Sequence, residues 1–338
     1  MLVDSLNALA LITNFIIVPG IAYGSQLALG ALGVTLVYSI LRFSNFAHGE
    51  LMSFGAMFTI LVTFWFKNLN LSISPLPTAL LALPFGIIIS ILLCLIIDRL
   101  VFKYYRKVKS ENVTYLIVSI GVMFTIGGLI RFIIGPKDRV FTDGSRFILK
   151  AREFKSFTGL SEGISIKMTQ GVTFFTAVLV VAFVFWFLNK TKTGKSMRAY
   201  SDNEDLALLS GINPERVIFI TWLLVGSLAA IAGTLYGLDK SYKPFTYLQI
   251  LLPIFASAIV GGIGSPLGAI AGGFVIAFSE LFITFAYKKF FTYMFRLDNP
   301  PDGLLQILST DYKIAVSFVI LLIVLLIRPS GIFVGKTL

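Results

Sequence analysis

Residues 42–52 read RFSNFAHGELM, a polar stretch between two apolar runs that are each long enough to cross a membrane. His48, the only histidine among the 338 residues, lies two positions before Glu50. Asparagine is a preferred helix cap, and the helix dipole stabilises a carboxylate in the first turn. The stretch therefore predicts a tight turn between two membrane helices, with Asn45 capping the second helix and Gly49 admitting another backbone.

A proton relay through His48 and Glu50 is the alternative interpretation, because ionisable residues inside membranes serve transport in many proteins. Polar residues near a helix end cost far less free energy than polar residues at mid-membrane. We therefore favour the structural interpretation. One histidine without a neighbouring cysteine cluster does not form a zinc site, so we predict no metal at this turn.

The composition predicts that the solvent of this chain is lipid. Hydrophobic residues make up 57% of the chain and charged residues 13%, with a mean hydropathy of +0.89. Soluble domains carry about 25% charged residues. Apolar runs recur from end to end, which predicts an all-α, polytopic integral membrane protein with about 8–10 transmembrane helices. The single Cys94 excludes a disulfide framework and a cysteine metal cluster.

The net charge argues against nucleic-acid binding, and the N-terminal sequence argues against a cleaved signal peptide. The net charge of +11 is spread over many short loops, which suits anionic membrane surfaces and not nucleic acid. The first apolar run follows no basic segment and includes Asp4, so we interpret it as part of the mature protein. We predict one transmembrane domain over residues 1–338, without a cofactor.

Run lengths divide the chain into predicted spans. The first ends at Pro19 and Gly20 and either crosses the membrane or lies in its surface. GELMSFGAMF at 49–58 and GAIAGGFVIAF at 268–278 each follow a polar or glycine-rich interruption, which indicates a weak internal two-fold repeat. The ten predicted segments are 5–20, 22–42, 49–66, 77–98, 113–134, 171–189, 216–238, 248–263, 266–286 and 313–328.

The segment SDNEDLALLSGINPER at 201–216 predicts a short capped helix between two spans. It is either an interfacial helix on lipid headgroups or a knob that docks into a partner protein. Anionic lipids repel its acidic first turn, which argues against the first alternative. The residues that define it are the capping box Ser201 and Glu204, the apolar Leu206, Leu208 and Leu209, the terminating Gly211, and Asn213 with Pro214, which restart a helix.

Two further patterns bear on nucleotide binding and on helix packing. NKTKTGKS at 189–196 has Asn189 where a phosphate-binding loop requires its first glycine, and it follows a membrane helix, so we predict no ATP binding there.

GGIGSPLGAIAGG at 261–273 places glycines at i, i+4 and i+8, a spacing that lets two membrane helices approach closely. The predicted packing positions are Gly261, Gly262, Gly264, Gly268 and Gly272.

Together these stretches resemble the permease subunits of branched-chain amino acid ABC transporters, of the H type and related to urea and amide permeases. GGIGSPLG at 261–268 and the tail ILLIVLLIRPSGIFVG are also similar to that family, so the resemblance spans nearly the whole chain. The N-[FM]-A-H-G-E turn of the family is matched by Asn45, Phe46, Ala47, His48, Gly49 and Glu50, and its R-A…A-x-L-x-G-I-N pattern by Arg198, Ala199, Ala207, Gly211, Ile212 and Asn213.

The resemblance implies a non-catalytic subunit of the bacterial inner membrane. It places the loop 189–215 in the cytoplasm, where its short helix meets an ATPase subunit. The implied partners are a second related permease, two ATP-binding subunits, a periplasmic binding protein and membrane lipid, with no nucleic acid. Loops 135–170 and 287–312 then face the periplasm, where we expect contacts with the binding protein.

The implied substrates are branched-chain or other hydrophobic amino acids, with urea or short amides as the alternative. The spans predict no buried carboxylate pair or arginine clamp for the charges of an amino acid. A stand-alone ion-coupled transporter would need intramembrane carboxylates, whereas Glu50, Asp98 and Glu280 lie near predicted helix ends or in isolation. One histidine without a catalytic constellation makes an intramembrane enzyme the weakest hypothesis.

Overall fold

A computed structural model of the chain describes residues 2–141, 144–295, 303 and 305–333. Helices dominate it, and two short strands, β1 (Phe147–Leu149) and β2 (Ile166–Lys167), pair antiparallel. The helices are α1 (Leu2–Ile12), α2 (Val18–Leu41), α3 (His48–Asn68), α4 (Ala79–Ile97), α5 (Lys103–Val108), α6 (Asn112–Ile134), α7 (Ala151–Thr158), α8 (Met168–Lys190), α9 (Lys192–Asp202), α10 (Glu204–Leu209), α11 (Pro214–Lys240), α12 (Thr246–Gly261), α13 (Pro266–Thr284), α14 (Lys288–Phe295) and α15 (Lys313–Ile327).

The helices confirm the predicted all-α, polytopic membrane class. Among the described residues, eight helical stretches are long and apolar enough to cross a membrane, and α12 is a shorter apolar helix. The eight are Val3–Leu41, His48–Asn68, Ala79–Val108, Asn112–Ile134, Met168–Lys190, Pro214–Lys240, Pro266–Thr284 and Thr310–Ile327.

The predicted break at Pro19 and Gly20 is wrong. α1 and α2 form one stretch of 39 residues, joined by a π-helical turn at Thr13–Ile17. Proline cannot donate to the carbonyl four residues earlier, and a wider turn just before it accommodates that loss without ending the helix. Gly20 is a packing position, because a Cβ there would lie 2.5 Å from the Phe278 ring.

The span predicted at 77–98 also continues further than expected. α4 passes through a second π-helical turn, Asp98–Phe102, into α5, so that Ala79–Val108 is one stretch of 30 residues. At 1.5 Å per residue this stretch is about 45 Å long, against a hydrocarbon core of about 30 Å. Unless it is strongly tilted, its basic end therefore lies outside the hydrocarbon.

The core forms around α2, which is buried along almost its whole length and packs against α11 and α13. Glycines set the closest approaches between helices. A Cβ at Gly233 of α11 would lie 2.1 Å from the Met52 carbonyl oxygen of α3, and one at Gly273 of α13 would lie 2.7 Å from the Ala28 nitrogen of α2. These helices pack backbone to backbone, as helices do in lipid, where small residues permit close contact.

We predict that Gly233→Leu lowers the melting temperature of the detergent-solubilised protein and its folded yield. The new side chain must displace the α3 backbone, and overpacking of this kind costs typically about 1–3 kcal/mol or more. Gly128→Leu is the matched control, because Gly128 of α6 is exposed and no heavy atom lies within 4 Å of the position that a Cβ would occupy there. Equal melting temperatures for the two variants would contradict this packing.

Candidate functional site

The turn between α2 and α3 is closed by hydrogen bonds from side chains as well as from its own backbone. The Asn45 Oδ1 accepts from the Ala47 amide at 3.1 Å, one position before α3 begins. The hydroxyl of Ser119, on α6, accepts from the Phe46 amide at 3.1 Å. Asn45 therefore stabilises the turn before α3, but the prediction that it caps the helix is wrong, because Ala47 is the N-cap of α3 and no described side chain caps it. The Ser119 contact could not be predicted from the local sequence.

His48 fills the space beside a glycine of α2. Its side chain is buried, and a Cβ at Gly33 would lie 2.5 Å from the His48 Cε1. Neither ring nitrogen meets hydrogen-bond geometry with a described residue. This packing supports the structural interpretation of His48.

Gly49 and Glu50 bring two other helices against the turn. A Cβ at Gly49 would lie 2.7 Å from the Tyr247 carbonyl oxygen of α12, so a second backbone approaches Gly49 as predicted. Glu50 lies in the first turn of α3 and is buried. Its carboxylate faces α6, where a Cβ at Gly127 would touch both Glu50 and the guanidinium of Arg131. The turn therefore joins α2, α3, α6 and α12.

In the segment 201–216 the short helix exists, but its predicted cap is wrong. Ser201 lies inside α9, and the N-cap of α10 is Asn203, whose Oδ1 accepts from the Leu206 amide at 3.0 Å. Glu204 receives a hydrogen bond from the Tyr200 hydroxyl at 2.6 Å. Burial, reinforced by this hydrogen bond, holds the pKa of Tyr200 above its ordinary value, so Tyr200 remains the donor. Asparagine outcompetes serine here because Asn203 has the extended backbone of a cap.

The end of α10 and the restart at α11 agree with the prediction. Gly211 has a φ of +79°, and its amide donates to the Leu208 carbonyl while the Ile212 amide donates to the Ala207 carbonyl, both at 3.0 Å. This pair of bonds is a Schellman motif. Asn213 is the N-cap of α11, and Pro214 is its first residue.

α10 presents an apolar surface outward. Leu206 is 61% exposed and Leu209 85% exposed, while Leu208 is partly covered and Ala207 is buried against the rest of the chain. Both ends of this two-turn helix are capped, so the leucines are held on a rigid element.

A charged cluster that we did not predict ties the end of α4 to α11. The Asp98 carboxylate accepts two hydrogen bonds from the Arg106 guanidinium, at 2.6 and 2.8 Å, and a third from the Trp222 indole at 2.7 Å. The Trp222 ring stacks on Phe102, with 5.6 Å between centroids. The spacing of eight residues between Asp98 and Arg106 was visible in the sequence, but Trp222 is 124 residues away from Asp98.

The glycine-rich interruption at 261–268 packs α12 against α13. A Cβ at Gly268 would lie 2.3 Å from the Gly261 carbonyl oxygen, and one at Gly272 would lie 2.0 Å from the Ser257 carbonyl oxygen. The prediction that Gly264 shares this helical face is wrong, because α13 begins only at Pro266. Gly264 is in the turn with a φ of +89°, and Gly262 has a φ of +111°, values that L side chains rarely adopt.

The predicted functional regions are the turn at Asn45–Glu50, the loop 189–215 and the glycine-rich interruption at 261–268. The second and the third meet at one cavity of about 570 Å³. It is lined by the end of α2, by α9 and by the turn before α13, including Ser39, Lys195, Arg198, Ser201 and Gly264. The Arg42 side chain, just past the end of α2, reaches the Ser201 carbonyl at 3.3 Å. Residues Asn45–Glu50 do not line this cavity.

Glu280 is buried and paired, which corrects its prediction as an isolated carboxylate. The Lys313 ammonium, at the start of α15, lies 3.4 Å from the Glu280 Oε2, and the Ser317 hydroxyl bonds the Oε1. The same ammonium lies 3.9 Å from the centroid of the Tyr23 ring. α2, α13 and α15 therefore meet at an ion pair in which Glu280 is buried and Lys313 is partly exposed.

For the turn, we predict that Gly49→Leu sharply reduces folded yield and that His48→Gln largely preserves it. Leucine must displace the Tyr247 backbone, whereas glutamine has a volume close to that of histidine and removes no hydrogen bond of His48 to a described side chain. The measurements are monodispersity and melting temperature in detergent. A His48→Gln variant as unstable as Gly49→Leu would contradict the structural interpretation.

Comparison with known proteins identifies the family. A family model described as branched-chain amino acid transport system / permease component matches residues 16–325. The chain is similar to the high-affinity branched-chain amino acid transport permease LivH of Salmonella typhimurium, with 30% identity over 320 residues that cover 93% of this chain and 92% of the relative. It is 27% identical to the corresponding permease BraD of Pseudomonas aeruginosa over 318 residues, 94% of each chain. No solved structure gives a significant match. The chain therefore belongs to the permease components of branched-chain amino acid transport systems, the multi-pass membrane subunits of ABC importers.

Proposed function

We propose that the chain forms part of the translocation pathway for branched-chain or other hydrophobic amino acids. Its proposed partners are a second related permease, two ATP-binding subunits and a periplasmic binding protein that delivers the substrate. The observation that carries the proposal is the full-length similarity to permeases named for high-affinity branched-chain amino acid transport. Transport of urea or short amides is the alternative, because the binding protein is expected to select the substrate.

The segment 189–215 is the proposed contact with the ATPase, on the cytoplasmic side. α10 is a capped, rigid element with outward-facing Leu206 and Leu209. Its C-terminal cap leads within four residues to Pro214, the first residue of α11. A displacement of α10 is therefore passed directly to a membrane-spanning helix, which is what an energy-coupling contact requires.

ATP hydrolysis is assigned to the partner subunits. Around Gly194, the chain passes directly from α8 into α9, with Thr191 as the N-cap of α9. A phosphate-binding loop joins a strand to a helix and cradles phosphates with successive backbone amides. The arrangement around Gly194 is helix followed by helix, and this supports the absence of nucleotide chemistry in this segment.

The loops 135–170 and 287–312 are the proposed contact with the binding protein, on the periplasmic side. Glu162 of the first loop joins α14 of the second through the Lys289 ammonium at 3.3 Å and the Tyr293 hydroxyl at 3.1 Å. Arg152 and Lys155 of α7 are exposed. The two loops therefore share one surface with exposed positive charge. Residues 142–143, 296–302 and 304 lie outside the described part of these loops.

We predict that Leu209→Asp releases the ATP-binding subunits, or uncouples ATP hydrolysis from uptake, while the permease still inserts. An unpaired charge in a docking groove costs about 3–5 kcal/mol. Leu208→Asp should act in the same direction, and Leu209→Met is the conservative control. The measurements are co-purification of the ATP-binding subunits and substrate-stimulated ATP hydrolysis. Normal co-purification and transport with both aspartate variants would place the coupling contact elsewhere.

Variants that remove a helix cap test the rigidity of α10 with a smaller perturbation than the aspartate variants. Asn203→Ala removes the observed cap of α10 and should weaken coupling mildly, since a lost cap costs about 0.5–2 kcal/mol. Ser201→Ala removes no cap and should have a smaller effect.

The substrate is tested with the assembled importer in proteoliposomes that contain its binding protein. We expect ATP-dependent uptake of radiolabelled leucine that excess isoleucine or valine suppresses and excess urea does not. Because His48 is buried and packs as a space-filling side chain, uptake by His48→Gln should follow the same pH dependence as the parent. Uptake of urea without uptake of leucine would establish the alternative substrate class.

A further inference from the structure

A groove of about 630 Å³ opens between the α4–α5 stretch and the first turns of α11. We call it the juxtamembrane groove. Its wall on the α4–α5 side is formed by Leu95, Arg99, Lys103 and Lys107, which are spaced four residues apart and so share one helical face. Phe219 of α11 contributes to the opposite wall.

The groove changes from apolar to charged along its length. Leu95 and Phe219 line one end, and Lys107, 12 residues beyond Leu95, lines the other, a rise of about 18 Å along the helix. On the outer surface of the same helix, Leu100 is 74% exposed and Tyr104 is 63% exposed. Aromatic and basic side chains that follow an apolar stretch are typical of a helix that leaves the hydrocarbon and enters the headgroup region.

Among the described residues, the charges of the groove leave two cations without an ion-pair partner. Four basic and three acidic side chains line it. Lys103 pairs with Glu215 at 2.8 Å, and Arg106 pairs with Asp98 at 2.6 Å. Arg99 and Lys107 are exposed and form no ion pair within the described part of the chain. The third acidic side chain, Glu204, accepts a hydrogen bond from the Tyr200 hydroxyl, so the lining carries one more positive than negative charge and can accept one additional negative charge.

We propose that the juxtamembrane groove binds one anionic phospholipid. Its phosphate lies between Arg99 and Lys107, and its acyl chains follow Leu95 and Phe219. Basic pockets between membrane helices are suited to anionic headgroups. A cytoplasmic protein reaches only the charged end of the groove, whereas a phospholipid matches both ends. Tyr200 and Glu204 also line the groove, but the Glu204 carboxylate repels an anion and already accepts a hydrogen bond from Tyr200, so we place the phosphate against Arg99 and Lys107 and not against the first turn of α10.

The experiment uses the full-length chain in detergent, with native mass spectrometry to count bound lipids. Dioleoyl phosphatidylglycerol is titrated against dioleoyl phosphatidylcholine, which has the same acyl chains and no net charge. We expect preferential retention of one phosphatidylglycerol. Arg99→Gln combined with Lys107→Gln should weaken that retention roughly ten- to thirty-fold, since each basic residue near an anionic surface contributes a factor of about five.

The matched control is Lys190→Gln combined with Lys192→Gln. These residues are exposed, lie in the α8–α9 region beside the same loop segment, and do not line the groove, yet the variant loses the same two charges. It should retain phosphatidylglycerol like the parent. Both variants must remain monodisperse, which is expected because the altered side chains are exposed.

Three results would overturn the proposal. Equal retention of the two lipids would show that charge does not select the ligand, and equal loss in both double variants would show that the groove has no special role. Release of the bound lipid when the ATP-binding subunits assemble would show instead that the groove is a protein interface. The expected result is independent of which solute the importer carries, so failure here leaves the proposed function standing.

Discussion

The fold depends on the requirement that backbone polar groups in a membrane protein find partners within the protein, because hydrocarbon offers none. Two irregular turns interrupt apolar runs in this chain, and segments that are distant in sequence close both of them. Ser119 of α6 accepts from the first turn. At the second, the Ile332 amide donates to the Val260 carbonyl at 2.8 Å, and the Phe333 amide donates to the Gly261 carbonyl at 3.0 Å. The segment after α15 therefore supplies hydrogen-bond donors to the last carbonyls of α12.

The lone histidine in the first of these turns has a packing role. A turn that is buried among four helices needs side chains that fill space and backbones that come close, and both are found here. His48 lies against Gly33, and Gly49 lies against the backbone at Tyr247. Close contact at glycine supplies the packing energy that lipid-exposed surfaces cannot, since lipid tails are as apolar as leucine. The polar composition of residues 42–52 is thus consistent with a structural role for the turn between α2 and α3.

Much of this architecture was predictable because it depends on local patterns. Run length and hydropathy located most of the spans, although the predicted spans 5–20 and 22–42 form one stretch and the predicted span 248–263 is the shorter helix α12. The Gly211 terminator and the Asn213–Pro214 restart follow from their own conformational preferences. The predictions were wrong where a local sequence rule was overridden by another backbone conformation or by a neighbouring residue. Pro19 predicted a break, but a π-helical turn absorbs the missing donor. Ser201 fits a capping pattern, but Asn203, two residues later, has the extended backbone of an N-cap and a side chain that accepts from the Leu206 amide.

Other features were beyond prediction because they join residues that are remote in sequence. The sequence around Glu280 gives no sign of its contact with Lys313, and the sequence around Asp98 gives no sign of its contact with Trp222. A buried charge is tolerated when its partner and further hydrogen bonds are present, and only the three-dimensional arrangement supplies them. For the same reason the cavity shared by Arg198, Ser201 and Gly264 was not anticipated, although each residue had been singled out separately.

The contacts around α10 differ in how much force they can transmit. The Lys103–Glu215 pair is largely exposed, and exposed pairs contribute about 0–1 kcal/mol, so it yields readily. Asp98 is better shielded and holds Arg106 and Trp222 with three charge-assisted bonds, which are roughly twice as strong as neutral ones. Under the proposed coupling role of α10, a movement that enters α11 at Pro214 reaches α4 through the Trp222–Asp98 bond as well as through the close packing of α11 on α4. Both Arg106–Asp98 bonds lie within the α4–α5 stretch, so the bond from Trp222 to Asp98 is the part of this cluster that joins the stretch to α11, and it is better shielded from solvent than the Lys103–Glu215 pair.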